Sequence, residues 1–447
     1  MKNIFLISFL IILLTGCKKL TDVIDRNPPN NLVPENVAHT AEGARNLLNG
    51  AYAMLHDQYY YMHISEMIPA TMSGYMARNG FLVNLQFRDN NVQPDLADVN
   101  NSWIAIYKLI NQANWVIQLV EELPEGEMSQ AEKNSITAQA RALRAMGHFD
   151  ALRFFGQYYD VNSAFGVIIR TEPVNFTTRY IARSTVAEVY EQVLSDLDFA
   201  IQNGPAFSKP IFMSGLAAKA LKARVLLFKG EYAAAATTAD EVISSNARSL
   251  SPTYDKVFSD GFNSSEMIFM RATDEVTFTL DRKKFTYGSR HGIASPLFKN
   301  LMAGDPRIAA TYSPANSAIL KVNNDTFFSP TYFLRLAQMY LIKAEALARS
   351  GAALDEAKAP LLVVRSRAFG SPQTSAAATM DELLDEIYKE IVKELAFENG
   401  SEWFAAIRFN KIMTIKPTVT SQDQFILPIP EAEIQGNALF GVQNPGY

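Results

Sequence analysis

Two consecutive apolar stripes between Met213 and Ser245 constrain the fold more than any other feature of the sequence. Each stripe repeats apolar residues at helical spacing: Leu216, Ala220, Ala223 and Leu227, then Tyr232, Ala235, Ala239 and Val242. Gly230 lies between the stripes and is expected to end the first helix, because glycine readily adopts the left-handed conformation that closes a helix. The pattern predicts an antiparallel helical hairpin.

The length of this hairpin, about 33 residues, is typical of a tetratricopeptide repeat. A related arrangement extends from Tyr332 to Ala359 around Gly351, and Pro360 is expected to kink or end its second helix. Such hairpins bury their apolar faces only by stacking on one another. We therefore predict a mainly α protein built on a tetratricopeptide-like helical hairpin scaffold. An irregular helical bundle is the alternative.

Helical spacing also predicts four helices in the first half of the chain. Two are expected to begin near Thr40 and Ser102, and two to extend over residues 129–155 and 184–201. Thr40 is an expected N-cap, because its hydroxyl can accept a hydrogen bond from the first turn. The helical pattern therefore covers both halves of the chain.

Three irregular stretches, residues 58–101, 157–183 and 248–330, separate the predicted helices. Stretches of this length inside a compact domain are usually functional or wrongly assigned. In the third stretch, residues 267–270 and 277–280 have the composition of short strands, which predicts minor β structure there. Phe327 and Phe328 are expected in the core.

The amino terminus has the pattern of a bacterial lipoprotein signal. Lys2 precedes an apolar run over residues 4–14, and the run ends in Leu14-Thr15-Gly16-Cys17. We predict that residues 1–16 are a signal peptide and that Cys17 is lipidated. Residues 17–39 are polar and contain prolines, which favours an extended tether. The alternative is an ordinary secretory peptide with a chance cysteine.

Composition excludes several classes of function. Cys17 is the only cysteine, which excludes disulfides, cysteine-ligated zinc and, once it is lipidated, a cysteine nucleophile. A net charge of -5 at pH 7 argues against a nucleic-acid partner. The sequence has none of the nucleophile-elbow, zinc-protease or phosphate-loop motifs. Paired carboxylates for glycoside hydrolysis stay open, because their separation in space is unknown at this stage.

Motifs spread along the whole chain resemble the SusD/RagB family of outer-membrane lipoproteins. In chain order they are Leu14-Thr15-Gly16-Cys17, Pro28-Pro29-Asn30, Trp103-x-x-x-Tyr107-x-x-Ile110-x-x-Ala113-Asn114, Ala142-Leu143-Arg144-Ala145, Arg335-Leu336-Ala337, Leu427-Pro428-Ile429-Pro430 and Gln443-Asn444-Pro445-Gly446-Tyr447. The last two are the most specific. The chain departs from the family pattern at other positions: Gln338, Leu362, Ile391, Glu402, Ala405 and Ala438. We expect these departures to weaken particular buried polar contacts rather than the fold.

The resemblance implies a SusD-like fold with long irregular loops, carried by lipid on the outer face of the outer membrane. It implies a single domain over residues 40–447, divided into a helical part (40–250), a loop-rich insertion (251–330) and a carboxy-terminal part (331–447). It further implies capture of a glycan for a SusC-like TonB-dependent β-barrel transporter, with no enzymatic step. No cofactor is expected and no metal ligands are assigned, but the sequence leaves a bound metal ion open. A scaffold lipoprotein that binds peptide is the competing hypothesis.

Sugars present flat apolar C–H faces and a rim of hydroxyls, so a glycan site needs exposed aromatic rings beside polar partners. Two clusters fit this requirement: Tyr59, Tyr60, Tyr61 and His63 in the first irregular stretch, and Phe285, Tyr287, Arg290 and His291 in the third. We expect replacement of all three tyrosines by alanine to weaken glycan retention with little change in thermal unfolding. Glu66 follows the first cluster.

Other conspicuous residues are interpreted as structural. Trp103, Trp115 and Trp403 fall on predicted helices and are expected to pack in the core. Asn111 and Asn114 are expected to satisfy backbone groups or to bond across helices. Glu390, Glu394 and Glu398 share one helical face, which we interpret as solvated or salt-bridged rather than catalytic.

Overall fold

The computed structural model describes residues 39–80, 83–271, 282–323 and 330–447. Its longer helices, numbered in chain order, are α1 Ala41–Ala53, α2 Ala97–Glu121, α3 Gln130–Phe155, α4 Val186–Asn203, α5 Gly215–Lys229, α6 Tyr232–Ser244, α7 Leu336–Ser350, α8 Leu354–Phe369, α9 Met380–Leu395 and α10 Ser401–Arg408. Shorter helical segments are Met54–His56, Tyr59–Met67, Ile68–Met72, Leu85–Asp89, Lys256–Ser259, Gly261–Asn263, Arg282–Gly288, Pro296–Leu301, Ile308–Thr311, Ile412–Ile415, Gln422–Phe425 and Glu431–Gly436. Cys17, the signal peptide and most of the predicted tether lie outside the described residues.

Side-chain caps define where several helices begin. The hydroxyl of Thr40 accepts a hydrogen bond from the first turn of α1, as predicted, and Ser129, the predicted start of α3, caps that helix in the same way. Thr185 forms a capping box with Glu188, so α4 begins close to its predicted start. The prediction for α2 was wrong: the helix begins at Ala97, five residues before Ser102, and no side chain caps it. The sequence therefore gives no capping signal at that end.

The helices stack in the order in which they follow along the chain. α2 packs on α3, α3 on α4, α4 on α5 and α5 on α6. The chain then leaves the stack, and α7 packs directly on α6 when the stack resumes. α7 also contacts α8 and α9. This arrangement confirms the mainly α, tetratricopeptide-like scaffold.

Both hairpins turn at glycines in the left-handed conformation. Gly230 and Gly351 have φ values of 86° and 84° and close α5 and α7. The second hairpin differs from the prediction at its start, and α8 does not end at Pro360. Residues 331–335 form a strand rather than the start of α7, and α8 continues through Pro360 to Phe369. The proline removes one helical hydrogen bond, but α8 keeps its buried face against α7.

Two small antiparallel sheets lie beside the helical stack. β1 Met76–Arg78 pairs with β3 Gly292–Ala294, and β2 Met267–Arg271 pairs with β4 Thr331–Arg335. The strand predicted at 267–270 is thus confirmed, whereas residues 277–280 and Phe327-Phe328 lie outside the described residues. Each sheet joins distant parts of the chain.

The irregular stretches were predicted with mixed success. Residues 157–183 contain no helix or strand, as expected. Residues 58–101 were assigned wrongly, because they contain a helix at Tyr59–Met67, a further turn at Ile68–Met72 and strand β1. No helix in the described residues is both long and apolar enough to cross a membrane.

A buried charge network ties the third stretch to the carboxy-terminal helices. Its carboxylates are Glu266, Asp305, Glu390, Glu394 and Glu398, and its cations are Arg307, Lys321, Arg335 and Arg367. The side chains of Glu394 and Arg335 are 0% and 1% exposed, and their Oε1 and Nη1 atoms lie 2.7 Å apart. The interpretation of Glu390, Glu394 and Glu398 as salt-bridged is confirmed, but they are buried rather than solvated.

Candidate functional site

The first candidate cluster lies on a π-helix, Tyr59–Met67, which continues into the α-helical turn Ile68–Met72. The backbone N–H of Ile68 donates to the carbonyl of His63, five residues back, as in a π-helix. Pro69 has no N–H to donate to an i−4 carbonyl, which is consistent with the departure from α geometry. The wider turns of a π-helix place residues that are four and five positions apart on the same side of the helix.

The π-helix separates the three consecutive tyrosines. Tyr60 is fully buried, and its hydroxyl donates to Asp150 Oδ2 at 2.6 Å. Tyr61 is 3% exposed, and the guanidinium carbon of Arg271 lies 3.7 Å from the centre of its ring. Tyr59 alone of the three is half-buried. The expectation that a triple alanine variant keeps its thermal stability was therefore wrong, because two of the rings are core residues.

Tyr59 forms an aromatic pair at the surface with the residue four positions on. The ring centroids of Tyr59 and His63 are 4.7 Å apart. His63 Nδ1 lies 3.4 Å from Asp98 Oδ1, and the side chains of His63 and Asp98 are 10% and 21% exposed. Asp57 Oδ1 accepts from the backbone N–H of Tyr59, and its Oδ2 lies 4.0 Å from Lys108 Nζ. We call Asp57, Tyr59, His63, Asp98 and Lys108 the Tyr59 surface.

The second candidate cluster is divided between core and surface. Tyr287 is 1% exposed, whereas Arg290 is exposed and has a left-handed φ of 57°. His291 is 8% exposed and lies against Gly80, where a Cβ would come within 1.9 Å of His291 Nδ1. The backbone of Phe285 lies in the helix Arg282–Gly288.

Strand pairing places Arg290 and His291 next to the end of β1. Asn79 donates its side-chain amide to the carbonyl of Arg290 at 3.0 Å and its backbone N–H to the carbonyl of His291 at 2.9 Å. The pairing of β1 with β3 continues this contact. A side chain at position 80 would therefore force the His291 ring to move.

The structure brings the two candidate clusters together through buried groups. Lys283 Nζ lies 2.5 Å from Glu66 Oε1, and the Tyr287 hydroxyl donates to Glu66 Oε2 at 3.1 Å. Burial raises the pKa of Glu66 to about 7, although the Lys283 ammonium opposes that shift. Burial and the neighbouring Glu66 raise the pKa of Tyr287 as well. This contact joins the first and third stretches in the core and leaves Tyr59 and Arg290 toward solvent.

Sequence reasoning missed Asp98 and Lys283. Asp98 lies in the first turn of α2, which the sequence analysis placed in an irregular stretch. Lys283 has no exposed surface. Lysine residues are mostly exposed, so the sequence gives no sign that this one is buried. Two structural interpretations were confirmed. Asn114 donates to the carbonyls of Arg170 and Glu172, and Trp103 and Trp403 are buried.

Within the described part of the chain, no three histidine, cysteine or acidic side chains are grouped as they would be around a metal ion. The Tyr59 surface offers instead an aromatic pair, two carboxylates and an ammonium. Rings beside hydrogen-bonding groups suit ligands with apolar faces and polar edges.

Known protein families and individual proteins match most of the chain. Residues 22–227 match a family described as starch-binding and associating with the outer membrane, and residues 320–416 match the SusD family. SusD-like protein P2 of Formosa agariphila is 25% identical, with 99% of both chains covered. A SusD-like protein of Bacteroides ovatus is 23% identical over 64% of this chain and 62% of its own.

Solved structures have the same fold. The crystal structure of a SusD superfamily protein from Bacteroides thetaiotaomicron has a TM-score of 0.76 and 26% identity, covering 91% of this chain and 100% of the other. A laminarin-binding SusD-like protein has a TM-score of 0.74 and 24% identity, again covering 91% and 100%. The chain belongs to the SusD/RagB family.

Proposed function

We propose that this protein captures glycans at the cell surface and delivers them to a SusC-like TonB-dependent β-barrel transporter. The observation that carries the proposal is the SusD-like fold, aligned over 91% of the chain with a structure that is 26% identical. The family description, starch-binding and associating with the outer membrane, and the laminarin-binding neighbour support a carbohydrate ligand. The protein acts as a binder in this proposal and has no catalytic step.

The proposal assigns the Tyr59 surface as a glycan contact. The half-buried ring of Tyr59 offers an apolar face to a sugar, and Asp57 and Asp98 can accept hydrogen bonds from sugar hydroxyls. His63 holds the Tyr59 ring from one side, so the ring loses little conformational freedom when a ligand binds. Arg290, which is exposed, is a second candidate contact from the third stretch, whereas His291 is buried.

The lipoprotein signal predicted at the amino terminus supports the proposed location at the cell surface. Cleavage before Cys17 and lipidation of its thiol would anchor the protein, because each buried acyl methylene contributes about 0.8 kcal/mol. Residues 17–39 would then act as the tether of a single domain that faces the cell exterior. Metabolic labelling with an alkynyl fatty acid should label the wild-type chain and not Cys17→Ser. Equal labelling of both chains would contradict the anchor.

Glycan binding is tested by affinity electrophoresis against a panel of polysaccharides that begins with laminarin and starch. We expect Tyr59→Ala to weaken retention by about tenfold, the loss typical of removing one stacked aromatic ring. Tyr180→Ala is the matched control, since Tyr180 is a 44% exposed tyrosine in the second irregular stretch. Equal losses in both variants, or none in either, would remove the Tyr59 surface from the site.

The partner is tested separately. Purification of the tagged, lipidated protein from native membranes should recover a β-barrel transporter in a fixed ratio. The competing hypothesis is a scaffold lipoprotein that binds peptide and not sugar. Recovery of other envelope proteins without a barrel, together with no retention by any polysaccharide, would favour the scaffold.

A further inference from the structure

A pocket of about 550 Å³ lies away from the Tyr59 surface, between the α4–α5 connection and the start of the third irregular stretch. Phe207, Lys209 and Ile211 line one side, and Arg248, Phe262 and Asn263 line the other. The backbone N–H of Met270 on β2 donates to the carbonyl of Pro210 at 2.7 Å, which fixes the first side against the sheet. The volume is in the range of small-molecule sites.

The described charged side chains that line this pocket have one sign. Lys209 and Arg248 are the charged side chains among its described lining residues, and neither forms an ion pair with a described carboxylate. The chain as a whole has a net charge of -5 at pH 7, so the pocket is a basic site on an acidic protein. Two cations converging on a concave surface attract an anionic group.

Arg248 is held in a fixed orientation. Its guanidinium carbon lies 4.5 Å from the centre of the Phe207 ring, and one terminal nitrogen donates to the carbonyl of Ser264. Its Nε is buried and has no hydrogen-bond partner among the described residues. A buried donor without a protein partner is usually satisfied by an ordered water, an ion or a ligand. A guanidinium fork matches the oxygens of a carboxylate or a sulfate.

The remaining lining groups suit a sugar ring. Phe262 is 42% exposed and offers an apolar face, and the Asn263 amide can both donate to and accept from hydroxyls. Ser208 adds a hydroxyl at the rim. An acidic monosaccharide unit needs this combination of a fixed cation, an aromatic face and an amide.

We propose that this pocket binds an acidic saccharide, with its carboxylate or sulfate on Arg248 and Lys209 and its ring on Phe262. The proposal rests on the proposed function for the saccharide and adds a second site with a defined ligand charge. It predicts that the protein holds acidic glycans at two separate surfaces: the Tyr59 surface contacts the chain, and the pocket selects the charge.

Isothermal titration with trigalacturonic acid and with its methyl ester tests the carboxylate. We expect the free acid to bind at least about tenfold more tightly, because hydrogen bonds to a charged group contribute more than neutral ones. Arg248→Gln should remove this preference, and Arg248→Lys, which keeps the charge but not the fork, should retain part of it. Lys209→Gln should lower the affinity by a smaller factor, about threefold, because Lys209 is exposed.

Arg179→Gln is the matched control. Arg179 is also stacked on aromatic rings, with its guanidinium carbon 4.3 Å from the centre of the Phe176 ring, but it does not line the pocket. Equal affinity for the acid and its ester, or an equal loss in Arg179→Gln and Arg248→Gln, overturns the carboxylate arm. Chemical-shift titrations with glucose 6-sulfate and glucose test the sulfate arm. Failure of both arms overturns the proposal.

The same variants separate this inference from the proposed function. Retention of neutral glycans should be weakened in Tyr59→Ala, whereas the preference for the acid should survive in Tyr59→Ala and be lost in Arg248→Gln. Retention of neutral glycans without any preference for the acid contradicts only the pocket. Absence of retention for neutral and acidic glycans alike contradicts the proposed function as well.

Discussion

The buried charge network and the proposed binding surfaces use the same residue types under opposite conditions. In the network, Arg335 donates to Glu266, Glu394 and Glu398, and its side chain is 1% exposed. At the pocket, Arg248 donates to one backbone carbonyl and meets no described carboxylate. Arg335 therefore stabilises the fold, whereas Arg248 keeps hydrogen-bond donors for the proposed ligand.

The pKa shifts of Glu394 in the network and of Arg248 at the pocket show the same contrast. Burial alone would raise the pKa of Glu394, but the guanidinium groups of Arg367, Arg335 and Arg307 hold it well below its usual range. Burial instead lowers the pKa of Arg248, and no carboxylate opposes the shift. Substitutions in the network should therefore change stability, whereas substitutions at the surfaces should change ligand binding.

The largest effect is expected for Arg335→Met. This change leaves Glu394 and Glu398 buried with fewer cations, and breaking a buried pair typically costs about 3–5 kcal/mol of unfolding free energy. Urea denaturation followed by circular dichroism measures the loss. Arg45→Met is the control, since Arg45 pairs with Glu132 at the surface and should change stability by less than about 1 kcal/mol. Similar losses in both variants would contradict the contrast.

A pH-dependent effect is expected at Glu402, one of the departures from the family pattern. Burial raises its pKa to about 8 from an ordinary value of 4.5, although the Phe397 N–H, which donates to Oε2, opposes the shift. Oε1 has no hydrogen-bond partner among the described residues. The folded state therefore binds more protons than the unfolded state between these values, and the contribution of Glu402 to stability falls as the pH rises from about 4.5 to 8. Glu402→Gln should remove that slope and stabilise the protein by about 2–4 kcal/mol near pH 8.

Glu345→Gln is the opposite control for this prediction. Burial alone would raise the pKa of Glu345, but Arg408 and Arg349 lower it. Its contribution to stability is therefore present at neutral pH and is lost as the pH falls below the unfolded value of about 4.5. Glu345→Gln should destabilise the protein at pH 7 and do so less in acid. Parallel stability curves for the two glutamine variants would contradict the assignment.

The sequence predicted the scaffold because helical spacing and caps are local signals. Thr40 and Gly230 were predicted as helix ends from their immediate neighbours, and each has the expected role. The third helix begins next to Ser129, where its start was predicted. The start of α2 was missed because Leu96 provides no side-chain cap. The charge network depends on contacts between distant residues: Arg307 and Glu394 are 87 positions apart, and no local pattern indicates that pairing.

The candidate site could be predicted only in part, for a related reason. Tyr59, Tyr60 and Tyr61 were chosen together because the sequence does not indicate which ring is exposed. That outcome depends on the π-helix and on Asp150, 90 positions beyond Tyr60. The basic pocket was not predicted, because Arg248 and Phe207 come from different segments and neither belongs to a motif.

A smaller effect is expected at Gln338, where the family usually has glutamate. Arg224 donates to Gln338 Oε1 at 2.6 Å, and burial lowers the pKa of Arg224 to about 9. Gln338→Glu would supply a carboxylate to a buried cation and should stabilise the protein by about 1 kcal/mol at pH 7. Gln338→Leu should destabilise it, because Arg224 would lose an acceptor. Thermal unfolding of both variants measures the difference, and a destabilising Gln338→Glu would contradict the argument.

The smallest change in stability is expected for Tyr59→Ala, and it tests the contrast within one helical turn. Tyr59 is half-buried and its side chain contacts His63, so its loss should change the unfolding free energy by less than about 1 kcal/mol. Tyr60→Ala is the adjacent control. It removes a fully buried ring and leaves Asp150 without the hydroxyl donor, which should cost at least about 3 kcal/mol.

Denaturation curves give the change in unfolding free energy for both variants, and affinity electrophoresis gives the glycan retention of Tyr59→Ala. A large loss of stability in Tyr59→Ala would place Tyr59 with the core and explain any loss of retention by unfolding. Retention lost at unchanged stability would instead separate the two adjacent tyrosines into a surface residue and a scaffold residue.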